Sequence, residues 1–256
     1  MIARVLTALL LAPAAVFTVT SAPWWLFSAL VALVASACFL EFRRIAAAHG
    51  HGFAPMVGLA AGLAMMFAPA DQAWLVAVAA LGASWCLALR EEDLTRVLPQ
   101  GAVLLAGVVY CFGAWRCALE LRRIDPNWLL FTLALTWLGD AFAYFGGRAM
   151  GRHKMAPRLS PGKTWEGAAW SAAGSVLFGV LFLGQVKPEL GWGVVVPLSF
   201  AANAAGQLGD LVESALKRGA GLKDSGHFLP GHGGWLDRVD SALLAMPAVL
   251  LWLTRV

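Results

Sequence analysis

Between Asp210 and Asp240 the chain reads DLVESALKRGAGLKDSGHFLPGHGGWLDRVD, and five of its fifteen acids fall there: Asp210, Glu213, Asp224, Asp237 and Asp240. Lys217, Arg218, Lys223, Arg238, His227 and His232 are interspersed with them. Carboxylates mixed with cations suit metal and phosphate chemistry. Mg2+ takes oxygen ligands, commonly one or two carboxylates with water and substrate phosphate completing the shell, and Lys and Arg meet the remaining phosphate charge. Asp210, Ser214 and Lys217 share one face of a helix, with Arg218 beside it. Asp237 and Asp240, three apart, point the same way if their segment is helical. With Asp210 they make a candidate three-carboxylate site for Mg2+ and a polyphosphate. A plainer reading stays open on spacing alone: a solvated helix end at Asp210, and an acidic pair that caps the last helix and meets Arg238.

The LPGHGGWLDR stretch places Gly231, Gly233 and Gly234 around His232. Glycines let backbone amides approach an anion closely, and His232 is either a phosphate donor or an ordinary loop histidine. The segment GRHKMAPRLSPGKTWEG, residues 151–167, adds Arg152, Lys154, Arg158 and Lys163. Its GKT is not a P-loop, because that motif requires glycine where Pro157 stands and a strand before it, and none is expected here. Each of these cations taken alone reads better as a residue of a positive-inside loop. Asp140, in LTWLGDAFAYFGGR with Tyr144 on the same helical face, interrupts an apolar run. It either lines a site or hydrogen-bonds a neighbouring helix.

The elements that must position these groups follow from composition. The chain has 256 residues, 60% hydrophobic and 13% charged, with mean hydropathy +0.71; soluble domains carry about a quarter charged residues. The expected fold class is all-α, a polytopic integral membrane helical bundle. Apolar blocks at 3–21, 23–40, 53–69, 72–89, 101–119, 127–147, 165–186, 190–209 and 241–254 give about nine transmembrane helices. The whole chain, 1–256, reads as a single membrane domain: N-terminal helices over 1–138, a core with polar segments over 139–240, and a last helix over 241–256. The first twenty residues resemble a secretory signal, but spans follow at once and favour a retained first helix.

The net charge of +4 does not point to nucleic acid, because the basic residues stand at segment ends. With the N-terminus in the cytoplasm, all of the nineteen Lys and Arg except Arg116, Arg122, Arg123, Lys187 and Arg255 lie on the cytoplasmic side. Segments 148–163 and 210–240 then share that face, and the Arg116–Arg123 cluster is the misfit. Cys38, Cys86, Cys111 and Cys117 show no ligand spacing and read as buried thiols.

Taken together, these residues resemble the phosphatidate cytidylyltransferases, also called CDP-diacylglycerol synthases, in their compact bacterial form. The family signature comprises an SxxKR segment, a KD pair, a PGHGG turn and a DRxD end. SALKRGAGLKDSGHFLPGHGGWLDRVD, residues 214–240, supplies all four. GDLVES, GDAFAYFGGR and GRHKMAPRLSPGKTWEG also look like family segments, so the resemblance covers residues 139–240. The N-terminal half is similar only in length and hydropathy.

The resemblance implies that CTP and phosphatidic acid give CDP-diacylglycerol and pyrophosphate, with Mg2+ required and a second, monovalent cation admitted. It also implies a homodimer among membrane lipids of the cytoplasmic (inner) membrane, with its active site facing the cytoplasm. Carried over residue by residue, Asp210, Asp237 and Asp240 hold the metal and act in catalysis with Lys217 and Arg218. Ser214, Lys223, Asp224, His232, Gly233, Gly234 and Arg238 bind substrate, joined by Arg152, Lys154, Lys163 and Asp140. Two competing readings are weaker on the residues. A CDP-alcohol phosphotransferase needs a DGxxAR segment, and the chain has no Asp-Gly pair. A cation transporter lined by Asp140 and Asp210 has no need of clustered Lys and Arg.

Overall fold

Runs of Ala, Leu and Val away from water close their backbone hydrogen bonds internally, and the apolar blocks accordingly become helices. The computed structural model describes residues 13–89, 93–226 and 233–255. Residues 13–20 form α1, followed by α2 (Trp24–Ala48), α3 (Pro55–Phe67) and α4 (Ala73–Ala88). A 3-10 turn (Leu94–Arg96), α5 (Val97–Gly107), a π-helical stretch (Val108–Gly113) and α6 (Ala114–Ile124) follow without a break. Then come α7 (Pro126–Met150), the strands β1 (Lys154–Ala156) and β2 (Ser160–Thr164), α8 (Trp165–Val186), α9 (Trp192–Gly219) and α10 (Leu236–Leu253). The chain divides into two compact units, Met1–Leu119 with Leu216–Val239 and Glu120–Ala215 with Asp240–Val256.

Among the described residues, four helical stretches are long and apolar enough to cross a membrane: α2, the run Leu94–Ile124, α7 and α8. The expected blocks at 53–69 and 72–89 yield only 13 and 16 helical residues in α3 and α4, against about 20 for a full crossing. The block at 101–119 starts earlier than expected, at Leu94, where Asp93 accepts the Thr95 amide at 3.0 Å. Most of the expected first span lies outside the described residues.

In the first unit, Phe39 of α2 sits 5.4 Å from Phe112 and 5.7 Å from Phe53, ring centre to ring centre. Gly58 and Gly62 of α3 make this possible, since a Cβ on either would run into the Phe39 or Phe112 ring. Arg116, the misfit of the charge pattern, donates to Met65 O at 2.5 Å and Ala68 O at 2.7 Å. It thus satisfies the last carbonyls of α3. Arg123, already in the second unit, meets Glu120 at 3.5 Å. Cys38 and Cys111 are buried as expected, whereas Cys86 is exposed and Cys117 partly so.

In the second unit, α7 and α8 pack through small residues, as helices do where lipid supplies no hydrophobic drive. A Cβ on Gly139 would come within 2.9 Å of Asn203 Nδ2 and Ser175 Oγ. Asn203 of α9 is buried and donates to Ser171 at 2.8 Å and Ser175 at 2.9 Å, both on α8. Gln207 donates to Asn203 at 2.6 Å and completes the network.

Asp125 caps α7, accepting the Asn127 amide at 2.8 Å, and pairs with Lys187 at 2.6 Å. Burial pushes its carboxyl up, but Lys187 and the Asn127 amide outweigh this and hold it below the usual range. The bond to Asp125 raises Lys187. The lowered carboxyl stabilises the fold above its unfolded value, about 3.9, and that stabilisation is lost as pH falls through the folded value. The raised ammonium stabilises below about 10.4, and its contribution is lost as pH rises through the folded value. Asp125→Ala is expected to cost about 1–2 kcal/mol at pH 7 and to flatten the acid limb of stability, read from thermal melts in detergent between pH 3 and 8.

Candidate functional site

The site residues of the second unit are presented by a hairpin and three helices. β1 and β2 pair antiparallel, with Lys154 opposite Thr164 and Ala156 opposite Ser160. This corrects the expectation that no strand precedes GKT; strands of three and five residues are too short to show a hydrophobic alternation. A P-loop remains excluded, because Lys163 lies within β2 and Pro157 fills the glycine position. Thr164 ends the hairpin and caps α8, its hydroxyl accepting the Gly167 amide at 3.1 Å. Glu166, in the first turn, accepts from His153 Nδ1 at 2.6 Å and from the His153 amide at 3.2 Å, fastening the hairpin to α8.

Lys163 forms an ion pair with Asp210 of α9, whose other oxygen accepts the Ser214 hydroxyl at 3.3 Å. At the adjacent Gly209, α9 meets the backbone of α10: a Cβ there would lie 2.5 Å from the Asp240 carbonyl oxygen. The Asp240 carboxylate accepts the Ser241 amide at 2.7 Å. Lys163, Asp210, Ser214 and Asp240 therefore belong to one unit, with Asp210 and Asp240 at one helix crossing.

The first unit holds the rest. Lys217, in the last turn of α9, meets Asp237 Oδ1 at 2.5 Å, and both side chains are nearly buried. Asp237 Oδ2 accepts the Ser225 amide at 3.0 Å and the Gly234 amide at 2.8 Å, and lies 3.0 Å from the Ser225 hydroxyl oxygen. Burial pushes the Asp237 carboxyl up; Lys217 and these amides outweigh it and hold the group below the usual range. Gly233 has φ +78°, and a Cβ there would lie 2.5 Å from Asp237 Oδ2, so both backbone and space require glycine. Arg218 donates to Leu222 O at 3.1 Å as α9 ends. Lys223, Asp224 and Arg238 are exposed, as are Arg152, Lys154 and Asp140 in the second unit. Gly231 and His232 lie outside the described residues.

Two participants were not foreseen from sequence. Ser225 ties the loop to Asp237, and Glu41 of α2 accepts the Ser225 hydroxyl at 2.8 Å together with the amides of Trp235 and Leu236 at 3.0 and 2.8 Å. The available signal was Glu41 as an acid at the end of an apolar block, masked by Arg43 and Arg44 beside it.

Among the described residues, no group of three or more His, Cys, Asp or Glu gathers so as to hold a metal. The donor chemistry nonetheless fits a hard cation. Asp210 and Asp240 at one crossing match the one or two carboxylates that Mg2+ takes alongside water and phosphate. In the structure Lys163 supplies the positive charge at Asp210 and Lys217 supplies it at Asp237.

The chain matches the family model described as Cytidylyltransferase family over residues 2–255. Curated relatives named phosphatidate cytidylyltransferase are similar over its larger part. That of Brucella abortus is 47% identical over 152 residues, 58% of this chain and 55% of the relative. That of Haemophilus influenzae is 40% identical over 149 residues, 55% and 51% respectively. That of Staphylococcus saprophyticus is 36% identical over 155 residues, 60% of each. The matched stretch thus spans between 51% and 60% of these relatives' length.

Removing one partner of a nearly buried ion pair leaves an uncompensated charge and costs about 3–5 kcal/mol. Lys217→Met and Asp237→Leu are each expected to destabilise on that scale. The double variant is expected to lose far less than the sum, measured by thermal or denaturant unfolding in detergent.

Proposed function

Because the chain belongs to the cytidylyltransferase family, we propose that it transfers CMP from CTP to phosphatidic acid, giving CDP-diacylglycerol and pyrophosphate for phospholipid synthesis. A phosphate oxygen of phosphatidate attacks the α-phosphorus of CTP in line; the new P–O bond forms as the bond to the β-phosphate breaks and pyrophosphate leaves. Positioning and charge stabilisation carry such a transfer without a covalent intermediate. The observation that supports the reading is that the signature carboxylates are already matched by lysines, Asp210 by Lys163 and Asp237 by Lys217. Cation and carboxylate therefore stand together where triphosphate charge has to be met.

Lys163, Lys217, Arg218 and Lys223 would carry phosphate charge, with His232 and the Gly233 and Gly234 amides, and with Arg152 and Lys154 from the hairpin side. Asp210 and Asp240, with Asp237, would hold Mg2+, which when bound neutralises charge on the triphosphate; a second, monovalent cation belongs to the same proposal. So do the homodimer, the inner-membrane location with a cytoplasmic active site, and the count of nine spans.

The decisive experiment is CTP-dependent pyrophosphate release by the purified protein in detergent with phosphatidate and Mg2+. Release supports the assignment, and its absence with Mg2+ and Mn2+ alike overturns it. Asp210→Asn is expected to leave a folded protein with turnover down by about two orders of magnitude or more. Orientation is read separately. A cysteine replacing Lys223, in a chain with Cys86 and Cys117 removed, is expected to react with an impermeant maleimide in inverted vesicles and to stay unlabelled in intact cells.

A further inference from the structure

The loop that carries Ser225, Gly233 and Gly234 has its anchor far outside the signature. Trp235 precedes α10 at the position where Ser, Thr, Asp or Asn usually supplies a capping oxygen, and an indole has none to give. The first amides of α10 need an acceptor from elsewhere. Glu41 of α2 provides it: Oε1 accepts the Trp235 amide at 3.0 Å and Oε2 accepts the Leu236 amide at 2.8 Å. The same Oε2 lies 2.8 Å from the Ser225 hydroxyl, which is itself 3.0 Å from Asp237 Oδ2. A serine hydroxyl has one proton, so it donates to Glu41 or to Asp237, not to both. The shorter distance assigns it to Glu41 and leaves Asp237 Oδ2 to the amides of Ser225 and Gly234. The fit is close on all sides: a Cβ on Gly226 would lie 2.5 Å from Glu41 Oε1, and one on Gly234 would collide with Oε2.

We infer that Glu41 is a positioning residue for the signature carboxylate: it fixes Ser225 and the first turn of α10, and through them the orientation of Asp237 and its Lys217 partner. Among the described residues, the three groups that meet Glu41 are all donors, one on Oε1 and two on Oε2. Glutamine has only one acceptor oxygen. Whichever way its amide is turned, an NH2 faces the N–H of Trp235 or of Leu236, so the isosteric Glu41→Gln change breaks the arrangement.

The kinetic part of the test rests on the proposed transferase reading; the exchange part does not. In purified full-length protein, Glu41→Gln is expected to speed hydrogen exchange of the Ser225, Trp235 and Leu236 amides by about tenfold or more, with α7 and α8 unchanged. Its kcat is expected to fall by about tenfold or more, with KM for phosphatidate within about twofold. Combined with Ser225→Ala, it is expected to lose no more than the worse single variant, because both act through one link. Unchanged exchange, or losses that multiply, overturns the inference. If Glu41→Gln does not fold, Ser225→Ala alone decides. A lowered kcat at an unchanged melting temperature supports the link, and wild-type kcat refutes it. An inactive wild type would remove the transferase reading and leave exchange to judge Glu41.

Discussion

A carboxylate near hydrocarbon persists only with a cation or hydrogen-bond donors on it, and the placement of the signature residues follows from that requirement. Asp210 is met by Lys163, delivered by the hairpin between α7 and α8; Asp237 is met by Lys217 and two backbone amides. Neither lysine is a sequence neighbour of its acid. Each pair therefore fixes tertiary structure as well as charge: the first holds β2 to α9, and the second holds the last turn of α9 to the first turn of α10. The positive φ of Gly233 and the side-chain-free Gly234 belong to the same solution, since a Cβ at either would occupy space taken by Asp237 or Glu41.

The membrane helices supply the rigidity on which such pairing depends. Without a hydrophobic drive between helices in lipid, close packing and interhelical hydrogen bonds must do the work. The first unit seats phenylalanine rings in glycine sockets, Phe39 against Gly58 and Phe112 against Gly62. The second seats Asn203 between Ser171 and Ser175, opposite Gly139. Both devices place backbones closely enough that a displaced helix would lose contacts on several sides at once.

How much of this was legible in the sequence depended on the range of the interaction. Charge in an apolar chain stood out, so Asp210, Lys217 and Asp237 were singled out, and the structure places each in an ion pair. The Lys163 partnership was hidden because β1 and β2 are too short to show alternation, and a lysine before Thr164 looks like any loop cation. Glu41 was hidden for the opposite reason: flanking arginines made it look like part of a charged membrane border. Hydropathy blocks located the apolar segments well, and α8 begins and ends with its block, yet α9 runs on to Gly219, well past the end of its own. Pro55 and the Pro69 turn confine α3, and the Leu94–Ile124 run outgrew its block through a 3-10 start and a π-helical middle.

The two ion pairs differ in a way that assigns them different work on the proposed reading. Lys163 and Asp210 are each 26% exposed, whereas Lys217 and Asp237 are 11% and 7% exposed. Water reaching a pair weakens it, while breaking a nearly buried one costs several kcal/mol. Lysine is moreover a flexible point charge that can turn from carboxylate to phosphate, unlike an arginine locked in a two-pronged bond. On the proposed reading the Lys163–Asp210 pair would be the easier one to open toward a triphosphate. The Lys217–Asp237 pair, held on its other oxygen by the Ser225 and Gly234 amides, is the costlier one to open.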